Sequence, residues 1–222
     1  MTSKKPERTC STCGRPLANE ENKRLLSPST KYYAFRVNLA NWGNGPIMDE
    51  RGTIIGSVRT IGKAADLCVF DGDGTPVLSI RKKVLREKYE LLDISEKRIA
   101  RVHSKFLSSN LILYSFSSAT PDNAFLEEKS VPEGIGSFYF DLVLGSGEIV
   151  AELRPVGTFP EIFGNIIFSF GDVYCVRVIN PSVDRRFILG IVLVNEWIIK
   201  NLLGDDPFIM LAGLRFPREK EI

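Results

Sequence analysis

The sequence predicts a mainly β fold, a closed antiparallel barrel of about twelve strands around a central hydrophobic C-terminal helix. Two patterns predict it. The first is residues 187–203, FILGIVLVNEWIIKNLL, whose opening eight residues carry no polar side chain on any face. A surface helix shows an apolar stripe of limited width, whereas a helix that is apolar all round is enclosed in a core or in lipid. The second is the stretch from residue 31 to 179, where short runs rich in Val, Ile, Phe and Tyr alternate with Gly, Asp, Asn and Pro turn signals, the pattern of an all-β chain. A helix with its side chains is about 10–12 Å across. An eight-stranded barrel has room only for its own side chains, so a sheet of about eleven strands or more is required to hold it.

A membrane span is not expected from the apolar stretch. Spanning helices need about 20 mostly apolar residues, and here Asn195, Glu196, Lys200 and Asn201 fall inside the run. Each charge near a bilayer centre costs about 2.5–3.5 kcal/mol. Glu196 and Lys200 lie one turn apart in the favourable order, which gives the second half of the helix a polar stripe.

In chain order, residues 1–30 form a polar, charged tail, expected to be flexible, and residues 31–222 the barrel domain. Within the tail Cys10-Ser-Thr-Cys13-Gly has the shape of one zinc knuckle. A structural zinc site needs four ligands, so Cys10 and Cys13 supply half of one. The tail is read as metal-free, with zinc completed by a second chain or by distant residues as the functional alternative. Strands are then expected at 32–39, 47–49 and 53–60, the last two flanking Glu50-Arg51-Gly52, with a loop at 41–46. Strands 66–70 and 76–84 are joined by Asp71-Gly72-Asp73-Gly74, and 88–94 and 98–106 by Ser95-Glu96-Lys97. After 111–116 comes a polar connection, 117–134. Strands 137–144 and 148–154 flank Gly145-Ser146-Gly147, and 165–170 and 173–179 flank Gly171-Asp172. Asn180-Pro181-Ser182 stops the last strand and can cap a helix over 183–203. An internal duplication is suggested by LCVFDGDGTPVLSIRKK and FYFDLVLGSGEIVAELRP, each a strand, a Gly-rich turn and a strand ending in a basic residue. Alternation in 98–106 puts Ala100, Val102 and Ser104 on one face and Ile99, Arg101, His103 and Lys105 on the other; the small residues face inward to leave room for the helix.

Composition narrows the function classes. The 222 residues carry a net charge of +2, with 44% hydrophobic and 25% charged residues, which excludes a strongly basic nucleic-acid binder as the default. Residues 1–22 hold no apolar core of a secretory signal. Four cysteines in a chain of this length are not a disulfide scaffold. Cys68 and Cys175 sit singly in apolar runs, where a small buried hydrophobe is their usual role. A reducing, cytoplasmic location is the expectation.

At residues 47–52 (IMDERG), 67–74 (LCVFDGDG), 77–82 and 89–102 (YELLDISEKRIARV), followed by paired hairpins and the terminal apolar helix, the chain resembles the tubby C-terminal-like superfamily. The resemblance is to its LURP-one-related and phospholipid-scramblase-like branch and runs from about residue 32 to 203. It implies a helix threaded through the barrel and a non-enzymatic role: tubby-like members bind phosphoinositides, and scramblase-like members are tied to phospholipid movement. The palmitoylated cysteine cluster and Pro-rich N-terminus of scramblases are missing here, which argues against scrambling.

The clearest charged feature is residues 81–105, with nine Lys or Arg against four Asp or Glu. That is a local +5, so the rest of the chain sums to −3. If the strands are neighbours, Arg81, Lys83, Arg101 and Lys105 share an outer face able to hold anionic phospholipid headgroups; an ordinary solvated face is the plainer alternative. No stacking aromatics interleave, so nucleic acid is not expected. Asp71-Gly-Asp-Gly is read as a hairpin turn rather than a calcium loop, since Thr75 and Lys82 stand where ligands are needed. One histidine, His103, excludes multi-histidine metal sites. With no nucleophile elbow, zinc-protease or P-loop motif present, an enzyme is not expected. The expected function is peripheral association with anionic phospholipid, possible scramblase-like movement included. The alternative is a regulatory or structural adaptor that dimerises or binds a partner protein through zinc bridged by Cys10 and Cys13.

Overall fold

Twelve antiparallel ladders arise from the β-rich part of the chain, and their order is the order of the sequence. A computed structural model describes residues 24–36, 44–62, 66–83, 88–104, 111–115, 123–128, 139–155 and 173–203. Among them the strands are β1 (Tyr32–Arg36), β2 (Gly45–Met48), β3 (Ile54–Ile61), β4 (Asp66–Asp71), β5 (Pro76–Lys83) and β6 (Lys88–Leu92). The second half adds β7 (Arg98–Ser104), β8 (Leu111–Ser115), β9 (Asn123–Glu128), β10 (Phe140–Leu144), β11 (Ile149–Pro155) and β12 (Val173–Val178), and then the helix α1 (Arg185–Leu203). Each strand pairs with its neighbours in sequence. β1 pairs with β2 on one side and with β12 on the other, so the ladder returns to its first strand as a closed barrel.

The period-2 alternation of the strands builds the interior. In register across the sheet lie Val69 and Leu78, Leu67 and Ile80, Ile80 and Leu91, Leu91 and Ala100, and Tyr89 and Val102. All of these side chains are buried and belong to one apolar cluster with the helix. From Phe187 to Val194 every residue of α1 is buried, two full turns enclosed on all sides. Gly190 marks the closest approach: a Cβ there would lie 2.6 Å from Leu91 Cδ1 and 2.8 Å from Cδ2.

One turn device is used four times at the end of the barrel where the helix begins. Asp49 N–H donates to Thr53 O, Asp71 to Thr75, Asp93 to Lys97 and Leu144 to Glu148, at 2.7–3.0 Å. The residue before each acceptor has positive φ: Gly52, Gly74, Glu96 and Gly147. Each hairpin carries a register shift in the strand that enters it, the three-residue loop with a left-handed residue and bulge. The carboxylates of Asp49 and Asp93 each accept two backbone amides within their loops. The Asp71-Gly72-Asp73-Gly74 segment is thus a hairpin turn.

Three expectations are revised. The segment 117–134, read as a connection, contains β9. Only Ala124 and Leu126 of β9 belong to the core, and Asn123, Glu127 and Glu128 around them hide the alternation. β2 begins at Gly45, inside the expected loop 41–46. The helix is capped by Asp184, whose carboxylate accepts the Arg186 N–H at 2.9 Å; Asn180 instead takes the Ser182 N–H and Oγ–H within its own turn. The strand expected at 165–170 lies outside the described residues.

Part of the stretch assigned to the tail packs on the barrel. A 3-10 turn at Arg24–Leu26 places Leu25 at 0% exposure in the core. Its backbone is tied by Asp71 Oδ1, which accepts the Leu25 N–H at 3.4 Å, and by Tyr33 Oη–H, which donates to Leu25 O at 2.8 Å. Gly56 makes room for it, since a Cβ there would meet Phe70 O at 2.6 Å and Leu25 Cδ2 at 3.0 Å. Arg185, nearly fully buried, donates from Nη2 to Pro28 O at 3.0 Å. The turn therefore sits over the start of the helix.

Candidate anion-binding face

Because Tyr89 and Val102 point into the core, their sequence neighbours on β5, β6 and β7 face outward. Register then sorts the basic stretch into two rows. One holds Arg81, Glu90 and Arg101, with Tyr114 next across; the other holds Lys83, Lys88 and His103, with Ile112 next across. Directly opposed residues in such a ladder have Cβ atoms about 4.5–5.5 Å apart.

The first row is internally matched. Arg81 Nη2 lies 2.5 Å from Glu96 Oε1, and Arg81 Nε lies 3.9 Å from Asp66 Oδ2. Arg98 and Arg101 each approach Glu90 Oε1 at 3.5 Å, so one half-buried carboxylate serves two guanidinium groups. The hydrogen bond to Glu96 holds the Arg81 pKa above its ordinary value.

Among the described residues, the second row is Lys83 opposite Lys88 and Lys88 opposite His103. Half-buried His103 has Lys88 directly across from it and Arg101 two residues back on the same face. Its pKa is held below the ordinary histidine value, first by desolvation and then by the charges of Lys88 and Arg101. Leaving out Lys82, which stands opposite buried Tyr89, the five basic residues of β5–β7 in these two rows and at Arg98 stand against Glu90 of β6, Asp66 of β4 and Glu96 of the 93–97 turn, which leaves +2, or +3 with His103 protonated.

The other side of the barrel differs. On β10–β12, Arg154 pairs with Asp141 and Glu152, and Arg177 Nη2 reaches Glu152 Oε2 at 2.5 Å. Two arginines meet two acids there.

Of the predicted residues, Arg81 and Arg101 share a row and Lys83 occupies the adjoining one, while Lys105 lies outside the described residues, as do Cys10 and Cys13. The sequence reading did not single out Lys88 as a site residue or give His103 a role. The signal that finds them is cross-strand register, which follows once the Ser95-Glu96-Lys97 hairpin fixes the pairing of 88–92 with 98–103. Among the described residues no helix is long and apolar enough to cross a membrane.

Comparison with known proteins agrees with this architecture. The family described as LURP-one-related matches residues 16–196. Among solved structures, the X-ray structure of an Arabidopsis thaliana protein is similar at a TM-score of 0.51 and 17% sequence identity. The similarity covers 80% of this chain and 99% of that one, and at this identity it speaks to the fold. A search of curated proteins returns no match.

Proposed function

The chain belongs to the LURP-one-related family, and on that premise we propose that it is a non-enzymatic protein that binds anionic phospholipid peripherally through the outer face of β5–β7. The observation that carries the reading is the asymmetry of charge: the outward face of β5–β7 keeps an excess of +2, whereas arginines and acids are matched on β10–β12. Each basic residue near an anionic surface contributes about 1 kcal/mol, so +2 corresponds to about 2 kcal/mol, or about a thirtyfold preference over a neutral surface. Lys83, Arg81 and Arg101 are the contact residues, with Lys105 as the sequence continuation of the face. Co-sedimentation with vesicles of phosphatidylcholine alone and of phosphatidylcholine with phosphatidylglycerol tests it. Salt-sensitive binding to the anionic vesicles is expected, and equal, negligible binding to both removes the reading.

A second reading starts from Cys10 and Cys13, whose spacing supplies two of the four thiolate or imidazole ligands of a structural zinc. An adaptor role would have them joined by a partner chain's ligands. It requires zinc in the purified protein and an oligomer that a chelator takes apart.

A further inference from the structure

The barrel closes on itself without residues 24–30. Val178 N–H donates to Lys31 O at 2.8 Å, so the ladder begins at Lys31 and the segment before it hangs from the start of β1. That segment is folded on itself. Ser27 N–H and the Thr30 hydroxyl both donate to Arg24 O, Thr30 N–H to Ser27 O and Ser29 N–H to Ser27 Oγ, at 3.0–3.3 Å. Leu25 alone of its side chains is buried, while Arg24, Pro28 and Ser29 are exposed.

Side chains of the wall and of the helix hold this strap, and they hold it by one leucine and one carbonyl. Asp71 Oδ1 accepts the Leu25 N–H at 3.4 Å, Tyr33 Oη–H donates to Leu25 O at 2.8 Å, and Arg185 Nη2 donates to Pro28 O at 3.0 Å. The isobutyl group fills the room left by Gly56, where a Cβ would come within 3.0 Å of Leu25 Cδ2. A pocket for one side chain, with fixed polar groups for the main chain on either side of it, is how proteins read peptide ligands.

The strap does not use the whole polar capacity of its site. Arg185 is 4% exposed, and its Nε and the Oε2 of Glu50 are buried with no hydrogen-bond partner among the described residues. Both charges act on the Tyr33 phenol, so both flank the strap. Buried polar groups left without partners cost stability. A spare donor and a spare acceptor at one site mark a fit that a different ligand would improve.

We propose that the end of the barrel where α1 begins is a peptide-binding socket, occupied at rest by the chain's own residues 24–28 and opened to a partner's peptide when this strap swings out at Lys31. The partner segment presents a leucine with free N–H and C=O and, three residues further on, a carbonyl for Arg185. Neither the charge nor the lipid affinity of β5–β7 enters the inference. Because the strap is tethered directly to β1, its effective concentration at the socket is about millimolar, and a free peptide competes only when the anchor is weakened.

The probe is a fluorescein-labelled peptide of residues 22–31, titrated by anisotropy with the full-length parent and with full-length Leu25→Ala. Truncating a buried leucine weakens the cis occupant by about thirtyfold or more. The peptide should therefore bind Leu25→Ala at least about tenfold more tightly than it binds the parent. Replacing the peptide's own leucine by alanine should remove the binding. Methylating that leucine's nitrogen, or adding Tyr33→Phe to the protein, should weaken it by about two- to tenfold, the worth of one hydrogen bond. Native-state hydrogen exchange of the parent is read in parallel, and the amides of Leu25, Ser27 and Thr30 should exchange through a shared local opening, faster than the ladder amides of β4–β6.

A folded Leu25→Ala protein that takes the peptide no better than the parent, or takes it equally well without its leucine, overturns the socket. Exchange of the Leu25 amide only through global unfolding overturns the opening strap, and decides the matter alone if Leu25→Ala does not fold. Concentration-dependent dimers of the parent that the free peptide dissolves would seat a second copy's strap in the socket and overturn its assignment to a foreign partner.

Discussion

Gly190 and Leu91 are where the helix and the wall of the barrel meet most tightly, and the contact predicts a mutational result with an unusual sign structure. In an isolated helix Gly190→Ala would stabilise by about 1 kcal/mol, because glycine is a poor helix former. Here the new methyl would sit 2.6 and 2.8 Å from the two Leu91 methyls, against about 3.5–4.0 Å for carbon atoms at optimal separation. Leu91 is itself fully buried, so it cannot swing into water. Overpacking of this kind costs about 1–3 kcal/mol, which leaves Gly190→Ala neutral to about 2 kcal/mol destabilised. Leu91→Ala alone should cost about 2–5 kcal/mol as a cavity. In the double variant the clash is gone and the helix propensity gain remains, so the double should be more stable than the sum of the singles by the whole overpacking term, about 1–3 kcal/mol. Urea unfolding with an unchanged slope measures all three. Additivity within about 0.5 kcal/mol would show that the helix does not press on β6 at this point, and the packing account would fail with it.

Three further outcomes follow from the same coordinates. Val192 is 1% exposed at the centre of the enclosed turns; Val192→Glu loses about 1.5–3 kcal/mol of burial and adds the several kcal/mol of an unpaired buried charge, so a cooperative thermal melt by circular dichroism should disappear, and a cooperative melt would refute the enclosure. Glu96 sits at φ 60 and holds Arg81 in an exposed ion pair worth about 0.2–1 kcal/mol. Glu96→Gly trades that pair for relief of about 1–2 kcal/mol of backbone strain, so stability should hold while anionic-vesicle affinity rises about fivefold; weaker vesicle binding would count against the lipid-binding face. Tyr33, whose pKa burial raises above the ordinary value near 10, contributes stability that is complete below that value and falls as the unfolded phenol ionises at higher pH. Tyr33→Phe should cost about 1–3 kcal/mol at neutral pH by orphaning Leu25 O, and denaturation curves collected on either side of pH 10 should show a smaller alkaline loss than in the parent.

Much of the architecture was legible because each signal is local. The all-round apolar character of residues 187–194 needs no partner to be read, and the structure encloses those residues completely. The hairpins are equally local, and they hold more than the suggested duplication between residues 67–83 and 138–155. Asp49, Asp71 and Asp93 are 22 residues apart, each opening the same bulged turn. Glu96 stands where the other copies have glycine, which is enough to conceal the third repeat from a search for Gly-rich turns. β9 escaped for the complementary reason, a strand whose inward face is only Ala124 and Leu126 and whose flanks are acidic. The packing of Leu25 was invisible because its reason lies elsewhere in the chain, in the room left by Gly56 and the phenol of Tyr33.

The basic face illustrates the limit of reading charge from sequence. Residues 81–105 sum to +5, and that sum treats every lysine and arginine alike. Register separates them. A turn of the length used at 93–97 sets Glu90 opposite Arg101 and Lys88 opposite His103, and the β5–β6 register sets the same two residues opposite Arg81 and Lys83. A one-residue slip would exchange the two faces of the strands and would put Tyr89 and Val102 into water, so the burial of these two residues is what guarantees the separation. The same apolar pair that packs against the core therefore decides which cations share a row with Glu90 and which share a row with Lys88, and a net-charge count over the stretch carries no trace of that decision.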